Sequence, residues 1–429
     1  MIIHIVGQGE TIYSIASEYG KSADRLALEN GITTADNLAI GEAMVILYPK
    51  IEYTVQVGDT LGSIARKYNT TIMEILRNNP YLSDREYIYP GELIVIEYEG
   101  QKIRAMSVTG YVYPFVNLKV LRKTLPFLTY LSVYSHYYNE KGEILHVDDS
   151  KLIQKAIRYG VAPIMVLNEM SASPEEVRGI THTILNNQAL QNDLINNLIN
   201  TLDRSGYYGV DFISPYILPA DRPLYVEFIE RLSCRLHLEG YKVFLSMTIS
   251  VFEMVANIVY EDLQLERLGQ CVDKVMFISY EGGYAFGISQ GLIAYDTSNN
   301  RLNYVTGKIN PEKTMFGIST IGYYWKLPYI GGVSKGQAIS YNSAIELARE
   351  FNAEIKFDDV TKISYFQYAT NYDYVVRFKD ARGIDAFVGL VPIHGINGVG
   401  LWNIMYFMAP MWLVINSQYE IEKVLQIRI

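Results

Sequence analysis

The stretch His4–Gly20, HIVGQGETIYSIASEYG, returns at Tyr53–Asn69 as YTVQVGDTLGSIARKYN, an offset of 49 residues. Gly9, Glu10, Thr11, Ile15, Ala16 and Tyr19 align with Gly58, Asp59, Thr60, Ile64, Ala65 and Tyr68. Further on, Asn30 aligns with Asn79, and Gly41 with Gly91 after one inserted residue. A period of this length marks one supersecondary unit made twice. Each copy predicts a short strand, a Gly-acid-Thr turn, and a helix capped by the threonine hydroxyl on an orphan backbone N–H. Ile12, Ile15, Ala16 and Tyr19 then share one helical face. A second helix carries Ala23, Leu26 and Ala27 and stops at Asn30-Gly31, residues that tolerate the left-handed conformation. A closing strand over 43–48 completes a βααβ unit.

In both copies this pattern resembles the LysM module, which places one module at residues 2–49 and a second at 52–98. The resemblance implies binding to N-acetylglucosamine-containing glycans of the peptidoglycan or chitin type. In LysM modules the sugar lies between the strand-to-helix turn and the loop before the second strand. Carried over, those segments are Gly9, Glu10, Thr11 and Ile12 with Asn30, Gly31 and Ile32, then Gly58, Asp59, Thr60 and Leu61 with Asn79, Pro80 and Tyr81. Two weak sites on one polymer reinforce each other.

Composition narrows the partners. The chain of 429 residues has 37 Lys+Arg against 46 Asp+Glu, a net charge of −9, which disfavours a nucleic-acid partner. Its 36 tyrosines suit the apolar faces and hydroxyls of sugars, although many belong to half-buried strands. Two cysteines and six scattered histidines make no ligand pattern, so neither a metal nor a cofactor is expected. The opening Met1-Ile2-Ile3-His4-Ile5-Val6 has no signal-peptide character, and no apolar run has the length of a membrane span.

Beyond Gln101, apolar β-branched runs alternate with helical segments. Eight strands are predicted at 107–113, 127–134, 161–167, 209–213, 241–248, 272–280, 314–319 and 398–403. Helices are predicted between several of them, at 149–159, 192–205, 223–239 and 341–352. Eight such units over residues 104–429 predict a (β/α)8 barrel. Residues 356–377 read instead as short strands turning at Thr370-Asn371, a small β insertion before the eighth barrel strand.

The segments GYVYPF, LPFLTYLSVYSHYYNEKGEI, VDKVMFISYEGG, KTMFGISTIGYYWKLPY and INGVGLWNI make the barrel resemble glycoside hydrolase family 18. Within it, the likeness is to the spore-cortex-lytic N-acetylglucosaminidases, which carry two LysM modules. That resemblance implies a place in the spore envelope, cortex or coat, reached from the mother cell without a signal peptide.

Family 18 enzymes carry D-x-x-D-x-D-x-E at the fourth strand. The Glu protonates the glycosidic oxygen; the Asp two residues before it orients the acetamido group that attacks the anomeric carbon, a departure from the usual two-carboxylate scheme. Here the segment reads SGYYGVDFISPYILPADRPLY. Gly206, Tyr207, Gly209 and Val210 on one side, and Tyr216, Pro219, Asp221 and Arg222 on the other, set the register without a gap. The Asp position falls on Ile213 and the Glu position on Pro215, with Ser214 between. Shifting Asp211 into the Asp slot leaves Ile213 where Glu is needed, and Glu227 and Glu230 lie in the next helix. Proline has no proton to give, and loss of a general acid costs about 10²–10⁴-fold. The motif therefore predicts a barrel that does not hydrolyse.

The resemblance retains other cleft positions: Tyr280 toward the acetamido group, Glu281 where relatives have Asp, Trp402 as floor, and Tyr324 and Trp325 as a further aromatic wall. Relatives show Trp and Glu where Arg377 and Lys379 stand. Three readings follow. The first is a glycan-binding spore-envelope protein with an inactive barrel. The second is an N-acetylglucosaminidase acting on cortex through a recruited acid, Glu281 or Asp296. The third is a coat assembly scaffold that contacts other coat proteins.

Overall fold

The computed structural model describes residues 1–32, 38–85, 87–170, 174–215, 217–248, 251–254, 257–260, 263–278, 292, 294–330 and 334–426. Each N-terminal module is a two-stranded antiparallel sheet over two helices. The first pairs Ile2–Ile5 with Ala43–Ile46 around helices Ile12–Glu18 and Ala23–Asn30. The second pairs Pro49–Thr54 with Leu93–Tyr98 around Leu61–Tyr68 and Ile72–Asn78. Thr11 and Thr60 cap the first helix of their modules in reciprocal capping boxes with Ser14 and Ser63. Gly31 ends the second helix of the first module at φ 70°.

The eight barrel strands are Arg104–Val112, Tyr130–Tyr138, Ala162–Glu169, Gly209–Ile213, Lys242–Met247, Lys274–Ile278, Thr314–Ser319 and Gly398–Trp402. All pair in parallel in this order, and the eighth closes on the first through Gly398–Leu401 against Ser107–Gly110. A short C-terminal strand, Tyr419–Ile421, adds to the start of the first. Side chains pointing to the axis fill it in layers, as barrels of this size require. Tyr130, Ala162, Ile164 and Phe244 pack low, and Tyr111, Val166, Met276 and Met315 pack above them.

Two features go beyond the sequence reading. The insertion between the seventh and eighth strands is larger than residues 356–377. It is a five-stranded antiparallel sheet that also takes Gly322–Lys326 and Gln337–Ile339. Helix Tyr341–Glu350 belongs to it rather than to the barrel ring, its Tyr341 ring packing tilted against Phe378 of the insertion sheet with centroids 6.0 Å apart. The second is that the modules are fastened to the barrel, a relation on which the sequence reading made no statement. Helix Ala409–Gln418 is apolar on every face through Ile415, because the barrel covers one side and the first module another. Arg349 holds Glu42 through both carboxylate oxygens at 2.8 and 2.9 Å, and Arg77 reaches Asn416 Oδ1 at 3.2 Å and the Pro126 carbonyl at 3.2 Å. Gly41 (φ +82°) presses so close to Ile355 that a Cβ would sit 1.9 Å from its carbonyl oxygen.

Candidate functional site

The mouth of the barrel is built from strand ends. Along the fourth strand Val210 and Phe212 face the surrounding helices, while Asp211 and Ile213 face the axis. Asp211 is fully buried. Its Oδ2 accepts from Tyr111 Oη at 2.7 Å and Ser246 Oγ at 2.8 Å, while Oδ1 has no partner. Burial pushes this carboxyl up to about 6, against the pull of those two hydroxyls.

One layer higher, Ile213 shares an apolar cluster with Trp402, Tyr134 and Ile278. The Trp402 ring lies 5.4 Å from Tyr134, 5.7 Å from Tyr111 and 5.8 Å from Tyr113. Tyr113 stacks on Phe115, which is 78% exposed, and Asn168 Nδ2 donates to Tyr134 Oη at 2.8 Å. Pro215 turns away from the axis to lie among Tyr138, Phe212, Tyr225 and Phe228. An aromatic floor thus stands at the mouth, with an isoleucine rising from the strand that would carry a carboxylate pair. Beside it opens a cavity of about 250 Å³ lined by Tyr113, Ile321, Asn403, Met405, Tyr406 and Phe407.

The remaining cleft candidates separate. Tyr280 and Glu281 lie outside the described residues. Asp296 is exposed in the first turn of helix Tyr295–Thr306. Trp325 is 1% exposed inside the insertion and offers no face to a ligand, a correction that follows from the larger sheet. Tyr324 on the same strand is half-buried and donates to Gln337 Oε1. Arg377 is paired with Tyr365 in that sheet, and Lys379 is buried.

One carboxyl had no signal in the sequence. Glu169 ends the third strand on the side facing the helices, with Oε1 3.2 Å from Tyr138 Oη and Oε2 unpartnered; burial pushes it up to about 7. Among the described residues no group of three His, Cys, Asp or Glu could share a metal ion, and no helix is long and apolar enough to cross a membrane.

In the modules, much of the motif is spent on the fold itself. Asn30 Nδ2 donates to the Leu26 and Val45 carbonyls and its Oδ1 accepts from Val45 N; Asn79 does the same with Ile75 and Val95. Glu10 closes its turn on Gly7 N at 2.6 Å, and Asp59 closes its own on Gln56 N at 2.8 Å. These bonds hold both carboxyls below their ordinary range, the backbone donor being the largest cause. Ile12 is buried and Leu61 half-buried. Gly9 and Gly58, at φ +80° and +89°, have open space beside them. Gly31, Ile32, Pro80 and Tyr81 line a second cavity, of about 370 Å³, between the modules and the barrel.

Comparison with known proteins accords with this architecture. Residues 4–46 and 53–97 match the LysM domain. The cortical fragment-lytic enzyme of Bacillus subtilis is 27% identical over 99% of both chains, and that of Bacillus anthracis is 26% identical over 97% of this chain and 98% of the relative. The crystal structure of the Bacillus megaterium spore cortex-lytic enzyme SleL superposes with a TM-score of 0.80 at 26% identity, covering 99% of each chain. Residues 181–406, more than half of the sequence, match the glycosyl hydrolases family 18, and the chain belongs to that family.

Proposed function

We propose that this protein binds an N-acetylglucosamine polymer of the spore envelope, peptidoglycan of the cortex above all, and holds it without cleaving it. The observation that carries the reading is the pair Ile213 and Pro215 at the end of the fourth strand. With an isoleucine pointing to the axis and a proline turned toward the helices, the end of that strand has no proton to give and no carboxylate to orient an acetamido group. Asp211 is engaged a layer below by Tyr111 and Ser246.

What remains is suited to binding. Trp402 supplies a flat face, and Tyr113 with Phe115 a stacked edge. Pyranose rings present apolar faces that pack on such surfaces, while tyrosine hydroxyls hydrogen-bond their rims. The modules add a second grip on the same polymer. The names of the relatives favour a second reading, hydrolysis of cortex fragments, in which Glu281 would supply the acid.

The experiment is a sedimentation assay on insoluble peptidoglycan together with product analysis on cortex fragments. Retention on the polymer with turnover at background is expected. Hydrolysis that disappears in Glu281→Gln would replace this reading with the second.

A further inference from the structure

We propose that the barrel mouth and the two modules form one continuous trough that takes a single glycan strand, rather than three separate sites. The inference rests on the glycan-binding reading above and specifies how the polymer lies. Its basis is a shared wall: the cavity beside the mouth and the larger cavity under the modules both include Asn342, Tyr406 and Phe407.

At one end the trough opens beside Tyr113 and Asn403, next to the Trp402 floor. At the other it is bounded by Gly31 and Ile32 of the first module and by Pro80 and Tyr81 of the second. These are the loop residues before the closing strand in each repeat. Both modules therefore turn the same part of their fold toward one cavity.

The walls fit a neutral, amphipathic polymer. Tyr406 is 63% exposed and Leu28 49% exposed, at the lip of an otherwise packed seam. Polar groups are interspersed with them. Asn342 Nδ2 lies 3.4 Å from the Phe407 carbonyl, and Arg25 is paired with Glu29 at 2.8 Å. The other cation on this wall, Lys123, stands over the Phe407 ring at 5.9 Å, and aromatic faces beside amides match acetamido sugars.

Rigid docking supplies the second support. Glu42 with Arg349, and Arg77 with Asn416 and Pro126, fix the modules against the barrel. Tyr98 of the second module donates to Glu29 of the first at 3.0 Å. Modules serving only as tethers gain nothing from a fixed orientation, because a flexible linker already raises the effective concentration. A strand lying across all three parts needs that orientation, and a site preorganised in this way avoids the ordering cost of binding.

The test is calorimetry on the full chain with chitotriose and chitohexaose. Chitohexaose should bind at least about tenfold more tightly, with one oligomer per protein, because a longer ligand engages successive parts of the trough. Val120 lines the cavity under the modules from the barrel side, and Val120→Trp, by filling it, should remove that advantage and leave chitotriose unchanged. Tyr81→Ala, which removes an aromatic wall of the same cavity without steric strain, should weaken chitohexaose by more than chitotriose and so shrink the length advantage. Equal affinity for the two oligomers, or a length advantage indifferent to both variants, overturns the trough and leaves glycan binding standing. Failure of either oligomer to bind overturns both.

Discussion

Tyr111 donates to Asp211 Oδ2 across 2.7 Å, tying the first barrel strand to the fourth one layer below Ile213. The carboxyl it holds has been pushed up to about 6 by burial, so the folded state keeps a proton that the unfolded chain, near 3.9, has released. Stability linked to this group is therefore full below pH 4, falls as pH rises toward 6, and stays low above it. Asp211→Asn should raise stability by about 1–3 kcal/mol at pH 7.5 and by little at pH 4. Denaturant titration at the two pH values measures the difference; an equal effect at both would remove the charge of Asp211 as its cause.

Lys379 gives the opposite dependence. Its ammonium lies 4.6 Å from the Phe387 ring centroid, and burial lowers it to about 7. The unfolded chain holds the proton up to about 10.4, so stability climbs with pH between 7 and 10 and is lost below 7. Lys379→Met should stabilise the protein at pH 6.5 by on the order of 2 kcal/mol, and the gain should shrink by pH 10. Thermal unfolding across that range checks the sign.

The docking of the first module should depend on Arg349. Removing one partner of a buried pair strands the other, at a cost of about 3 kcal/mol. Arg349→Ala should speed amide exchange in strands Ile2–Ile5 and Ala43–Ile46 while the barrel strands keep their protection. Exchange that rises equally in both would mean that the module does not open as a separate unit.

The fourth strand should accept its missing chemistry back. Ile213→Asp with Pro215→Glu should produce detectable release of sugar from N-acetylglucosamine oligomers. Either substitution alone should fall short by about 10²–10⁴-fold, the usual share of a general acid. Reducing-end assays on the double and single variants decide whether only the carboxylates have been lost or the subsites as well.

The barrel strands were legible because each is a short β-branched run whose neighbours in sequence are neighbours in space. The insertion was underestimated where that correspondence fails. Gly322–Lys326 looks like an aromatic loop by itself and becomes a strand only by pairing Tyr323 with Arg377. The mouth was half legible. Trp402 and Ile213 could be placed by register, but the hydroxyls that hold Asp211 come from two other strands, and Glu169 carries no local mark at all. In the modules the repeat located the helix caps and the turn glycines. No spacing could say that Asn30 and Asn79 turn inward to bind their own backbone.

Glu42 and Glu92 occupy the same place in their repeats, each following its module's glycine. Each accepts from the backbone N–H three residues back: Ala39 at 3.1 Å, Tyr89 at 2.9 Å. Beyond that shared task they part. Glu92 turns its other oxygen to Arg85 within its own module, and Glu42 turns its own to Arg349 of the insertion. The two copies are therefore not interchangeable parts. A chimera with the second module in the first position would carry a glutamate already engaged at home, and Arg349 would face it without a claimant. Recombination that shuffles such modules between proteins can carry their fold across, but not their seat.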